Sequence, residues 1–136
     1  IVNLLHDLSR RHGMALLFIS HNLAVVRHLC EDVVVLYLGR VVERAPRAAL
    51  FRSPRHPYTR ALLAAVPDPD PRLASRAVVT TVMEDATRAP TSGGGCAFAP
   101  RCAHAIDRCR GERPLLEAAG DGHAVACHRW RENSPP

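Results

Sequence analysis

The sequence contains no lysine; all 18 of its basic residues other than histidine are arginine. Lysine-based chemistry within the chain is therefore excluded, including the phosphate-gripping lysine of a Gly-rich P-loop. Aromatic side chains are few, with one Trp, two Tyr and three Phe, so a platform for stacking nucleic-acid bases is not expected. The net charge of +5 arises from scattered arginines without a block of like charge, which also argues against a nucleic-acid partner. No apolar run approaches the length of a membrane span, since residues 14–19 and 33–38, the longest, are strand-length. No secretory leader is recognisable, and a cytoplasmic location is expected. Position 1 is Ile and already belongs to a helical pattern, so the chain reads as a truncated or excised piece.

Ile1, Leu4, Leu5 and Leu8 form a helical stripe, with Arg10, Arg11 and His12 at its end and Gly13 as the left-handed cap. The run MALLFIS (14–20) is apolar on both faces and reads as a buried parallel strand. His21 follows it, and Asn22 is a good N-cap for a short helix carrying Leu23, Val26 and Leu29. VVVLYL (33–38) reads as a strand, Gly39 and Arg40 as a two-residue turn, and Val41 to Glu43 as the return strand of a hairpin. Two short helices are expected near Pro46 and Pro57. The PDPDP run (67–71) is a stiff break, and a domain boundary is placed there, dividing the chain into 1–66 and 67–136. A strand over 77–82 is expected beyond it. The first part is α/β with an incomplete sheet. The second is irregular and too loop-rich to fold on apolar burial alone, so a metal would supply the missing constraint.

Three groups of residues carry chemistry. His21 stands between an apolar strand and a helix start. It could simply bond a backbone group, but ligands gather at the carboxyl ends of strands in open α/β sheets, where a histidine can donate to a phosphate oxygen or hold an attacking water. The second group is Cys96, Cys102, Cys109 and Cys127, spaced C-x5-C-x6-C-x17-C. Tight C-x2-4-C knuckles of structural zinc are absent, and four thiolates at wider spacing suit a four-iron, four-sulfide (4Fe–4S) cluster. Zinc held by three of the thiolates with His104, His123 or His128 is the alternative, and four free thiols a further one. Arg101, Arg108 and Arg110 lie among these cysteines, where positive charge would help retain an anionic cluster. The third group is HPYT (56–59), in which prolines set turns and Tyr58 anchors the following helix. Cys30 reads as a small core residue.

ISHNLAVV (19–26) resembles the switch-histidine segment of ABC transporter ATPases, and VVVLYLGRVVERAP (33–46) the strand pair that follows it. RSPRHPYTRALLAAVPDPDP (52–71) resembles the tail of ATP-binding subunits of oligopeptide and dipeptide importers. CAFAPRCAHAIDRC (96–109) with HAVACH (123–128) resembles that subfamily's C-terminal extension. The resemblance implies the C-terminal part of a P-loop ABC ATPase domain at 1–66 and a Cys-rich extension at 67–136. It implies that His21 contacts the γ-phosphate of ATP and helps orient the hydrolytic water. It further implies that Cys96, Cys102, Cys109 and Cys127 hold a 4Fe–4S cluster of structural role, with zinc as the alternative. The family usually carries Asp where this chain has Asn22. The resemblance implies that ATP and Mg are bound chiefly by a Gly-rich phosphate loop and a carboxylate-bearing strand; neither occurs in these residues, nor does the family's signature loop. Gly93, Gly94 and Gly95 are not followed by Lys-Ser or Lys-Thr and are no substitute. The implied partners are a second ATPase subunit and the transmembrane permease subunits, with the protein peripheral on the inner face of the cell membrane. A reading of another class is a stand-alone, metal-stabilised interaction module without nucleotide hydrolysis.

Overall fold

The structure, a computed structural model, describes residues 2–65 and 94–132; the proposed break at 67–71, the strand expected over 77–82 and Gly93 lie outside the described residues. Helix α1 (Val2–His12) ends in three basic residues, Arg10, Arg11 and His12, which oppose the negative end of the helix dipole. Gly13 at φ 62° turns the chain, and the Met14 amide donates back to the Ser9 carbonyl at 2.9 Å. Helix α2 (Leu23–Leu29) starts at Asn22, whose side chain accepts from the amides of Ala24 and Val25, satisfying two of the donors that a helix start leaves open.

Strand β1 (Asp32–Tyr37) alternates strictly, with Val33, Val35 and Tyr37 turned into the core, as a half-buried strand must. It pairs antiparallel with β2 (Arg40–Pro46). The turn is Leu38–Gly39, one residue earlier than the sequence pattern indicates, because Tyr37 pairs with Arg40. Both turn residues take positive φ, 47° and 72°, the geometry that matches the twist of a tight hairpin. A bulge lies where the register passes from Val35↔Glu43 to Leu36↔Val41. Val42 is the extra residue, and it breaks the alternation so that Val42 and Glu43 are both buried.

Helix α3 (Arg47–Arg52) buries Leu50, and α4 (Pro57–Ala64) begins with Pro57 in its first turn and His56 as N-cap. Beyond residue 94 the elements are a 3-10 turn (Ala99–Arg101), α5 (Asp107–Gly111), β3 (Glu117–Ala118) and β4 (Ala124–Val125). Strand β4 pairs antiparallel with β2, setting Val125 opposite Glu43, and β3 pairs with β4, giving the sheet order β1-β2-β4-β3. The cysteine-bearing segment therefore extends the sheet begun by the hairpin. The two segments also share one core, in which Phe98 packs edge-on against Tyr37 at 5.2 Å and beside Tyr58 at 5.5 Å.

The fold class is mixed helix and sheet, and every strand pair among the described residues is antiparallel. Residues 14–20 do not form the buried parallel strand their composition predicts. They run without ladder partners among the described residues, and Leu17 and Ile19 are 89% and 90% exposed. A parallel strand exists only between neighbours that complete its hydrogen bonds, and none of the described residues pairs with this run, although Phe18 packs against the main core.

Candidate functional site

The four clustered cysteines converge. Cys96, Cys102, Cys109 and Cys127 line a single pocket together with His56, Phe98, His104, His128 and Arg129. All four are free thiols. Local structure explains the convergence. Cys96 lies against α5, its amide donating to the Cys109 carbonyl at 2.8 Å. That approach is so close that a Cβ on Gly95 would collide with the carbonyl groups of Cys109 and Arg110, so glycine is required there. Cys102 closes the 3-10 turn, its amide donating to the Ala99 carbonyl. Cys127 follows β4, whose register on β2 fixes its place.

Burial holds the thiols of Cys96 and Cys102 above their usual range and pushes Cys127 up to about 11, with each of the other three cysteines contributing repulsion to Cys127. A cation taking the four as thiolates would have to displace their protons, so its binding strengthens with pH. Among the described residues, no group of three or more His, Cys, Asp or Glu side chains is arranged to hold one metal ion. The four cysteines line one pocket without being brought into such an arrangement.

The histidines divide. His104 and His128 line the pocket, with His128 Nε2 3.0 Å from the Glu112 carbonyl oxygen. His123 does not; it is buried, and its Nε2 donates to the carboxylate of Glu43 at 2.6 Å. Neither Glu43 nor the pocket position of His56 is indicated by the sequence pattern. Glu43 is fully buried and also accepts from the backbone amides of Arg55 at 2.7 Å and His56 at 3.0 Å. One carboxylate on β2 thus binds the loop before α4 and the strand region of the cysteine-bearing segment at once. Arg55 adds a second tie, its guanidinium donating to the Ala119 carbonyl at 2.8 Å and lying over the Trp130 ring. His56 is held below its usual pKa, at about 4, by burial, which outweighs the opposing pull of Glu43; it is neutral at neutral pH.

The arginines expected to surround the thiols behave otherwise. Arg108 forms an exposed two-pronged pair with Glu112, and Arg110 pairs with Asp107. Arg101 is half-buried, with its Nε unpartnered among the described residues. The arginine in the pocket wall is Arg129. Cys30 is half-buried and packs against the main core.

His21 stands apart from this pocket. It is exposed, in the connection between residues 14–20 and the Asn22 cap of α2, and it is not among the residues lining the cysteine pocket.

Comparison with known proteins gives the family. Residues 42–109 match the model of the oligopeptide/dipeptide transporter C-terminal region, a span that joins β2, HPYT and the first three clustered cysteines. A protein of Sinorhizobium fredii named as a probable peptide ABC transporter ATP-binding protein is 54% identical over 94% of this chain and 36% of its own length. Proteins of Brucella ovis and Brucella abortus whose names place them in peptide import ATP binding are 46% and 48% identical, over 95% and 96% of this chain and 40% and 37% of their own. The chain belongs to the oligopeptide/dipeptide transporter C-terminal region family. It spans well under half the length of these curated relatives.

Proposed function

We propose that the chain is the C-terminal part of the ATP-hydrolysing subunit of an ABC importer for peptides. The observation that carries this reading is identity of 46–54% over 94–96% of the chain to relatives named for peptide import or transport and ATP binding. In this reading His21 contacts the γ-phosphate and orients the hydrolytic water; its exposure ahead of α2 leaves it accessible to a nucleotide held by other segments. ATP and Mg are bound mainly by those segments. Partners are a second ATPase subunit and the membrane-spanning permease subunits, with the whole peripheral on the cytoplasmic face of the cell membrane. Among the described residues no helix is long and apolar enough to cross a membrane. The exposed apolar side chains of residues 14–19 and of the outer face of β1, Val34 and Leu36, support a sheet that other parts of the intact subunit complete.

The complete subunit, assembled with its permease partners, tests the reading: it should hydrolyse ATP in proportion to peptide uptake, and an assembly that hydrolyses none refutes it. The 136 residues alone should bind ATP negligibly, because one histidine cannot replace the backbone donors, lysine and magnesium that hold a triphosphate. Calorimetric titration checks this, and micromolar affinity would overturn it.

Cys96, Cys102, Cys109 and Cys127 would hold the 4Fe–4S cluster, with zinc as the alternative. Four thiols about one pocket match in number and kind the four cysteine ligands that such a cluster takes. The cluster's contribution would be structural, bracing a segment with little secondary structure. Anaerobically purified protein should contain iron, not zinc; folded protein with neither metal would refute the assignment.

A further inference from the structure

His21 is exposed, yet the function proposed for it demands one orientation toward the γ-phosphate. An exposed ring is not held by packing, so its order has to come from the backbone that carries it. The chain bends at His21, between two anchored points. Before the bend, Phe18 packs against the main core. After it, Val26 of α2 is buried in that core. The Arg47 guanidinium also donates to the carbonyls of Arg27 and His28 at 3.0 and 3.4 Å, fixing the end of α2 against the start of α3. One side chain joins the two sides of the bend. The hydroxyl oxygen of Ser20 accepts the backbone amide of Asn22 at 2.9 Å, closing a small ring with His21 at its middle. That amide lies in the planar peptide unit that begins with the His21 carbonyl, so the bond restrains rotation about the Cα–C axis of His21.

We propose that Ser20 is a positioning residue for ATP hydrolysis, its Oγ holding the bend that aims His21. The inference rests on the reading of His21 given above and adds a residue to it. A hydroxyl on Cβ reaches the amide two residues on, a local bond that Ser and Thr favour at turns. Alanine has no acceptor there and leaves that amide to water and the bend free to turn. Placement matters at this step, because a shift of about 1 Å in a catalytic arrangement can cost about 10²-fold in rate. The triphosphate is gripped by other segments in the proposed arrangement, so its affinity does not depend on the bend. Loss of the Ser20 hydroxyl is therefore read in kcat, with ATP affinity nearly untouched.

The complete subunit, assembled with its permease partners, is assayed for steady-state ATP hydrolysis and titrated with ATP for affinity. Ser20→Ala is expected to lower kcat about fivefold to tenfold, the scale of one lost hydrogen bond, with affinity within about twofold of wild type. Ser20→Thr keeps the hydroxyl and should stay within about twofold of the wild-type rate. Ser20→Val has the shape of threonine without the hydroxyl and should fall with Ser20→Ala. In a His21→Ala background, Ser20→Ala should cause no further loss, because a residue that acts through His21 then has nothing to position. An unchanged kcat in Ser20→Ala, in an assembly whose rate does depend on His21, overturns the role of Ser20 and leaves the reading of His21 standing. A further loss of about fivefold in the His21→Ala background also overturns it, since Ser20 would then act independently of the ring. A His21→Ala rate within about threefold of wild type removes the reading of His21 and the role of Ser20 together. Should Ser20→Ala fail to assemble, Ser20→Thr and Ser20→Val decide: a rate lower in Ser20→Val by about fivefold supports the role, and equal rates overturn it.

Discussion

Replacing Glu43 with alanine is expected to lower the stability of the chain by about 3–5 kcal/mol, the scale on which several hydrogen-bond donors lose their shared acceptor at once. The loss is large because this carboxylate accepts three hydrogen bonds, from the amides of Arg55 and His56 and from His123 Nε2. Truncation leaves all three donors buried and unpaired, and each unpaired donor costs about 1–3 kcal/mol. Domains are commonly stable by only about 5–15 kcal/mol in total, so much of the margin is at stake. The damage should also be directional. Glu43 lies opposite Val125 in the ladder between β2 and β4, so its loss loosens the cysteine-bearing segment before it disturbs the β1–β2 hairpin. Glu43→Gln keeps an acceptor for some of these donors while opposing its own amide to another, and should fall between wild type and Glu43→Ala. Urea unfolding measures the totals, and amide exchange at Ala126, whose N–H donates to the Val42 carbonyl, reports the local loosening. A Glu43→Ala midpoint equivalent to less than about 1 kcal/mol would show that this carboxylate is not the clamp described.

Glu43 also marks where sequence reading reaches its limit. In VVERAP, strict alternation with Val42 inside sends Glu43 to solvent, and the pattern gives no hint of the extra residue at Val42. The bulge changes the phase of the strand, and only the tertiary structure supplies the donors that make a buried carboxylate tolerable. His123 was misleading for a related reason: its place among the cysteines makes it a candidate ligand, but its partner is 80 positions earlier. By contrast, local signals were readable because their causes are local. Asn22 caps α2, Gly13 ends α1, Pro57 opens α4, and Tyr58 anchors that helix by packing against Tyr37 at 4.7 Å. Grouping of four cysteines in one stretch was legible, and the structure brings their thiols to one pocket. The place of His56 in that pocket wall was not, because HPYT reads as turn and cap chemistry and nothing in its spacing points across the fold. The apolar run 14–20 shows the converse error: composition fits a buried strand, but strand formation needs neighbours, and none of the described residues provides them.

His21→Ala, made in the complete subunit, is expected to reduce the ATP hydrolysis rate by about 10²–10⁴-fold, the range associated with loss of a group that handles the proton or the attacking nucleophile. In barrier terms that is about 2.7–5.4 kcal/mol. The effect should fall on kcat. In the proposed arrangement the triphosphate and Mg are gripped elsewhere, so nucleotide affinity should change by only a few-fold, while the interaction that strengthens as water attacks the γ-phosphate is lost. Exposure of His21 makes the substitution clean: the side chain is not in the core, and surface replacements away from special features move stability by about 0.5 kcal/mol or less. Asn22→Ala provides the contrast, since it removes the side chain that accepts from Ala24 and Val25 and should cost about 1 kcal/mol of stability. A steady-state assay with a nucleotide-binding titration separates the two effects. An alanine variant at position 21 that retains hydrolysis within about threefold of wild type, on unimpaired protein, would exclude His21 from the reaction; a rate loss matched by an equal loss of ATP affinity would reassign it from orienting water to binding the ground state.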